Sequence, residues 1–534
     1  MASHHDQPPQ QPEEEGVDML DPEDAEEIVA DDPDALMESD DEADGGAPLQ
    51  EIQMENDSVA HFDLHKDSIF TIAQHPKHSY IVATGAGDDV GYIFEVAVKE
   101  QPRPPLPASW SGSQDGGMPP ERAGLKQLFK LDGHTDSVAA IAFTQPAGEY
   151  IVSGGMDGRL RAWRDTSSGA CMAWKFAGEA QEVEEIAWMA PCPHPDYPNT
   201  IALGASDGSV WVYSINAADK ESPLTIVQAF YLHTGPSTAG AWTPDGKLLA
   251  TVSEDESFYV WDVFGEAAGA GITNPSAGQA VVGLTGEDER FRVEGGLYSV
   301  AIAPNGAFAA VGGAEGHIRI VGLPRIGSDA SATSGARGAG ARGKAAGGKQ
   351  AGGPKGGAGA ATGQAGAILA SLQTQQDSVE TISFSAPPLT LMAAGSVDGS
   401  IALIDTAHRF AVRRHIQQAH FDEETETEQA VIKVEFVKPS PAQQQQAPGA
   451  SPAAAAQAAP GTWLLTSCGN DGVVRRWDAR GGTAAANRGL VGEWRGHRGG
   501  GEGGGVMGFV QGAGDRVVTA GDDGVSLVFN TPIA

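Results

Sequence analysis

One short pattern recurs along this chain and leaves few folds open to it. Small residues lead to an acidic residue, usually followed by Gly. Alternating β-formers then end in a large apolar residue. SGGMDGRLRAW (153–163) and SCGNDGVVRRW (467–477) are the fullest copies. GASDGSVWVY (204–213), TVSEDESFYVW (251–261), VGGAEGHIRIV (311–321), AAGSVDGSIALI (393–404) and TAGDDGVSLVF (519–529) repeat it, and TGAGDDVGYIF (84–94) is a diverged first copy. In each, the acid stands six positions before the large apolar residue: Asp88/Phe94, Asp157/Trp163, Asp207/Tyr213, Asp255/Trp261, Glu315/Val321, Asp398/Ile404, Asp471/Trp477 and Asp523/Phe529. The shorter intervals between acids run 48 to 52 residues, close to a four-stranded propeller blade with its loop. The acid with its Gly suits a tight turn between strands, and period-two alternation after it marks a strand with a face toward each neighbouring blade. The copies predict an all-β protein, a propeller of eight blades.

Further apolar strands precede the copies, as in SVAAIAF (137–143), EVEEIAW (182–188), SVETISF (378–384) and VIKVEF (431–436). A His stands before some of them, in LDGHTDS (131–137) and WRGHRGG (494–500), and Trp261-Asp262 and Trp477-Asp478 close two copies. The last copy runs out at Phe529-Asn530, four residues before the end of the chain, with no room for an outer strand. The alternating stretch SVAHF (58–62) is therefore expected to pair with it, close the ring and remove a sheet edge.

Gly-His and Trp-Asp signatures in this order resemble the WD-repeat β-propeller family. The resemblance implies a buried polar set in each full blade: His134, Ser153, Asp157 and Trp163 in the second, His65, Thr84 and Asp88 in the first, His497, Thr519 and Asp523 in the last. Copies three, five and six lack the His and the Trp, so those blades are expected to rely on apolar packing and to deform more readily. These histidines and acids are expected to be structural, not catalytic.

Charge narrows the function. The chain carries 71 Asp+Glu against 34 Lys+Arg, a formal charge of -37. That balance is wrong for neutralising nucleic-acid phosphates or for docking on anionic membranes, and right for attracting basic partners. Residues 1–57 hold 21 acids and no Lys or Arg, so they carry -21 and leave -16 to the rest. The expected organisation is a disordered acidic tail over 1–56 and a propeller over 57–534. Pro-, Gly- or Ala-rich insertions at about 99–123, 325–366 and 438–460 read as flexible loops. The second insertion is basic, with Arg325, Arg337, Arg342, Lys344, Lys349 and Lys355 against Asp329.

The chain offers no enzymatic constellation. GxSxG does not occur on a strand-to-helix turn, a phosphate-binding GxxxxGK[ST] loop and HExxH are missing, and the glycine run 347–357 has no strand before it or helix after it. Three cysteines without CxxC spacing predict neither a disulfide framework nor a structural zinc site. With no apolar h-region at the start and no long apolar run, a soluble intracellular protein is expected, without metal or cofactor.

A docking face is expected instead. In a propeller the turn acids and the starts of the innermost strands share one rim of the channel. Glu254, Asp255 and Asp522 lie at the turns, and Phe70, Glu182, Glu184, Glu185, Tyr298 and Glu380 at the inner-strand starts. A ring of carboxylates with a few aromatics suits an Arg/Lys-rich peptide, at about 1.5–3 kcal/mol per charge-assisted contact. Stacking of Arg on an aromatic ring adds about 0.5–2 kcal/mol.

The order of segments narrows the resemblance. DSVAHFDLHKDSIFTIAQHP (57–76), LDGHTDSVAAIAF (131–143) and FAGEAQEVEEIAWMAPCPHP (176–195), behind an acidic tail, resemble the family of the angio-associated migratory cell protein and its fungal counterpart. That counterpart is the assembly chaperone of a large-subunit ribosomal protein, the tenth by yeast naming. The resemblance implies binding of that client's basic N-terminal segment and delivery to the pre-60S particle by a monomer in the cytoplasm, with the nucleus also open to it. Two alternatives stand beside it. One is a substrate adaptor of a cullin-type ubiquitin ligase, for which Trp477-Asp478-Ala479-Arg480 matches the WDxR docking signature; the other is a generic interaction scaffold.

Overall fold

A computed structural model describes residues 56–96, 122–167, 171, 173–272, 279–326, 364–422, 425–438, 461–480, 489–498 and 504–532. The acidic tail and most of the three predicted insertions lie outside them. Alternating apolar strands separated by tight turns pair with their sequence neighbours, because hairpin connections are short and leave antiparallel pairing as the accessible geometry. Eight blade sheets result, seven of them with four strands in chain order, and the eighth completed by strands from near the start of the chain. Blade 1 comprises Ile69–Gln74, Ile81–Ala86, Gly91–Glu95 and Lys126–Leu131. Blade 4 comprises Ser237–Trp242, Leu248–Ser253, Phe258–Asp262 and Ala280–Leu284. The innermost strands contact one another in cyclic order, the last, Val506–Val510, returning to Ile69–Gln74. The protein is an eight-bladed propeller.

The turn after each repeat acid requires left-handed backbone at the next residue. Gly158 takes φ +72°, and a Cβ there would lie 2.0 Å from the Val183 carbonyl oxygen. Blade 4 places Glu256 in the same conformation (φ 67°). Side chains facing neighbouring blades fill the space between sheets. Trp163 and Tyr213, six residues after their acids, are nearly inaccessible, and they join clusters that bridge blades 1 and 2 and blades 2 and 3.

Ring closure uses residues from both ends of the chain. Ala60–Phe62 pairs antiparallel with Ser526–Val528 as the outer strand of the last blade, and Phe62 stacks on Phe94 at 4.3 Å. This sheet gains one more strand than the repeat predicts. Ala123–Gly124, at the end of the first predicted insertion, pairs parallel with Ala60–His61. Leu125 N–H donates to the His61 carbonyl, and Arg122 donates to the Ser58 and Asn56 carbonyls, so the edge of the closing strand is covered. The second insertion is anchored by its ends, since Ile326 and Ala365 both pack on the core between blades 4 and 5.

Candidate functional site

Polar sets occupy the upper ends of five blades. The His134 ring bonds Asp157 Oδ1 through Nδ1 at 3.0 Å and Ser153 Oγ through Nε2 at 2.7 Å. Burial pushes the imidazole below its ordinary value. Although burial opposes it, Thr135 N–H, His134 and Arg159 N–H hold the Asp157 carboxyl low. The stable state is neutral His donating to carboxylate, with the Ser hydroxyl donating to Nε2. His65 repeats this with Asp88 and Thr84, and His497 with Asp523 and Thr519. Trp163 lies buried, packed edge-on to Phe176.

Two further sets escaped the sequence reading. His233 bonds Thr251 and Ser257, and Trp261 Nε1 donates to Thr251 Oγ1. His420 bonds Asp471 at 2.8 Å and Ser467 at 2.8 Å, and Trp477 Nε1 donates to Ser467 Oγ. The His-Thr dipeptide of blade 4 was a readable signal. His420 was hidden because it lies 51 residues before its Asp, beyond an inserted hairpin (Phe421–Asp422 with Thr427–Glu428). In blade 6 Gln375 takes the histidine's place, its amide donating to the Ser400 carbonyl and hydroxyl.

Every innermost strand carries a bulge at its second residue, and bulges re-aim side chains. The re-aimed residues are Phe70, Ala139, Ala187, Thr238, Tyr298, Glu380, Ile432 and Met507, all at the channel rim where these strands start. Beside each, the residue after the second strand donates its N–H to the carbonyl just before the inner strand, as Glu254 does to Pro236, Ser206 to Glu185 and Asp522 to Gly505. Around this rim the acids Asp67, Asp136, Glu184, Glu185, Glu254, Asp377, Glu380 and Asp522 come together, and none of the equivalent positions in the other blades carries Lys, Arg or His. Glu184, Glu185, Glu254 and Glu380 are exposed. The carboxylates of Glu184, Glu185 and Glu254 have no hydrogen-bond or ion-pair partner among the described residues, while that of Glu380 accepts a bond from Ser378. Burial raises the Tyr298 phenol, and Glu254, Glu380 and Asp377 raise it further, which places that ring among three carboxylates. Phe70 is 37% exposed.

Two expected ring members are engaged internally. Asp255 accepts bonds from Thr234 N–H and hydroxyl and from Ser257 N–H and hydroxyl. Together with His233 these hold its carboxyl well below the usual range. Its charge thus belongs to the blade 4 polar set rather than to the open face. Asp522 faces the rim but takes a bond from Ser68 of blade 1. Glu182 stands apart from the ring, just beyond the outer strand Trp174–Gln181 of blade 2.

One group of three potential metal ligands comes together among the described residues: His75, His78 and Cys171, with donor atoms within 4.8 Å of one another. Its chemistry does not suit an ion. His75 Nδ1 accepts the N–H groups of Lys77 and His78 at 3.2 and 3.1 Å, so its proton sits on Nε2, 3.3 Å from the Gly148 carbonyl. Burial and Asp165 push the Cys171 thiol up to about 11. Neither group offers a lone pair or thiolate to a metal. The ring instead holds the turn after the first strand of blade 1. Burial raises Cys192 and Cys468 to about 12, so no thiol here is poised as a nucleophile. Arg480 of the WDxR stretch is held by its own blade, paired with Asp478 and lying 4.1 Å over Trp463.

The WD domain, G-beta repeat family matches residues 125–164 and 224–262. The propeller is similar to the crystal structure of Chaetomium thermophilum Sqt1 bound to the N-terminus of the ribosomal protein L10. Identity is 49%, covering 89% of this chain and 100% of that one, with a TM-score of 0.69. The chain belongs to the Sqt1 family. Across its Sqt1 relatives the similarity persists at lower identity. The ribosome assembly protein SQT1 of Saccharomyces cerevisiae is 27% identical over 412 residues, 73% of this chain and 76% of that protein. The human angio-associated migratory cell protein is 24% identical over 447 residues, 83% of this chain and 74% of that protein.

Proposed function

We propose that this chain is a ribosome-assembly chaperone that binds the basic N-terminal segment of ribosomal protein L10 on its acidic rim and delivers it to the pre-60S particle. One observation carries the reading. Eight acids and no cation occupy the equivalent rim positions of a chain 49% identical to an Sqt1 solved with that segment bound. A free basic segment binds stray phosphates, and carboxylates whose partners are missing in the free protein are suited to hold it. Each carboxylate–guanidinium contact contributes about 1.5–3 kcal/mol. Release follows where rRNA phosphates compete for the same cations. The work requires no catalytic residue, cofactor or nucleic-acid contact, and a monomer in the cytoplasm or nucleus suffices. In this reading residues 1–56 form an acidic tail and 57–534 the propeller that does the holding.

Charge reversal tests it. Glu184→Lys, Glu254→Lys and Glu380→Lys together should abolish binding of a synthetic L10 N-terminal peptide in fluorescence anisotropy. The melting temperature should stay close to wild type, because all three side chains are exposed. Undiminished binding by the triple variant would place the site elsewhere.

A further inference from the structure

We propose that the bound segment leaves the acidic rim across the junction of blades 2 and 3, where one of its Arg or Lys side chains stacks on Tyr231 beside Glu182. This rests on the proposed client. Tyr231 follows the outer strand Leu224–Phe230 of blade 3 and is 65% exposed, the most of any large apolar or aromatic side chain among the described residues. Its position is built rather than incidental. The ring meets Trp211 edge-on at 5.8 Å. Trp211 is fixed by donating Nε1–H to Ser209 Oγ at 2.8 Å and by lying nearly parallel to Tyr213. Trp211 and Ala180, the latter on the outer strand of blade 2, pack on the same cluster between blades 2 and 3, so Tyr231 sits at the blade junction that Glu182, two residues after Ala180, also borders.

The path from the rim is also laid out in one stretch of chain. Glu184 and Glu185 stand just before the innermost strand Ile186–Pro191, and Glu182 stands just after the outer strand of blade 2. These exposed acids form a spoke running outward from the channel toward Tyr231. An extended peptide lying along it keeps a carboxylate within reach of successive cations. The neighbouring guanidinium of Arg161 does not compete for the ring, because Glu179 holds it over Phe176. A cation is the occupant that this pairing fits: a ring face attracts Arg or Lys, the carboxylate beside it completes the contact, and an apolar partner would have to desolvate Glu182 without compensation.

The test compares Tyr231→Ala and Tyr231→Phe with wild type, measuring the Kd of the L10 N-terminal peptide across a range of salt concentrations. Loss of the ring should weaken binding about tenfold, with Phe staying within about twofold of wild type. The slope of log Kd against log salt should not change, because no charge is removed. Equal affinity of Tyr231→Ala and wild type, with binding lost in the rim triple variant, overturns this inference and leaves the rim reading intact. Tyr231→Phe as weak as Tyr231→Ala overturns it too, since the hydroxyl would then make the contact. No binding by wild type overturns both.

Discussion

His75 shows how one side chain couples a turn to pH. Its Nδ1 accepts two backbone N–H groups in the turn after the first strand of blade 1, a task only the neutral ring performs. Burial pushes it down to about 4, with His78 adding to the shift, whereas an unfolded His titrates near about 6.5. Below that value the unfolded chain takes up a proton that the folded one refuses, so stability falls as pH drops from about 6.5 to about 4. His65 and His134, also depressed by burial, act in the same direction. Asp471, held down at about 2 by His420 and Arg475 against the effect of burial, loses its contribution only at lower pH. The variant His75→Asn keeps an acceptor for the Lys77 N–H and removes one titrating ring. Thermal melts between pH 7 and pH 4.5 should show a shallower decline for it than for wild type; parallel curves would exclude His75 as a contributor. Residues of this kind were legible where partners keep a fixed spacing, as with Asp157 and Trp163. They were not legible where a different residue type does the same work, as Gln375 does for His, or where an insertion separates partners, as with His420 and Asp471.

At the scale of elements, closure decides whether eight sheets make one ring. Ala60–Phe62 supplies the edge that Ser526–Asn530 lacks, and Phe62 is buried against Phe94 and Tyr92. Phe62→Ala should cost about 3–5 kcal/mol in urea unfolding. Truncation to begin at Asp63 should also expose the Ser526–Asn530 edge and produce concentration-dependent association, read by light scattering after gel filtration. Truncation to begin at Asn56 keeps the strand and should melt like the full chain. Equal melting of the two truncations would mean that the last blade holds on three strands. The closing strand was readable because SVAHF alternates and the last repeat stops short. The two-residue strand Ala123–Gly124 was not, since its register comes from Arg122 reaching the Ser58 and Asn56 carbonyls, a contact between segments that no local pattern links. The rim was legible in part for the same reason. Glu184, Glu254 and Glu380 sit at repeat positions, but only side-chain partners reveal that Asp255 turns inward.

Across the whole molecule, charge is arranged at two ranges. In the proposed reading the rim carboxylates supply the short-range contacts to a client, while residues 1–55 carry 20 acids and no Lys or Arg. Long-range attraction between opposite charges speeds encounter and is screened over roughly 10 Å at 0.1 M salt, whereas contacts formed in the complex set its lifetime. The two contributions therefore separate in kinetics. Stopped-flow binding of the L10 N-terminal peptide should be several-fold slower to associate with a chain lacking residues 1–55 than with the full chain at low salt. That difference should shrink as salt rises toward physiological strength, and the dissociation rate should be the same for both. If deleting the tail raises the dissociation rate instead, then the tail touches the client in the final complex and the rim does not hold it alone. The single variant Glu254→Gln supplies the contrast, since loss of one short-range contact should raise the dissociation rate at every salt concentration. A chain of -37 charge could serve mere solubility with acids placed anywhere; only acids gathered at the rim make the two kinetic phases respond to different variants.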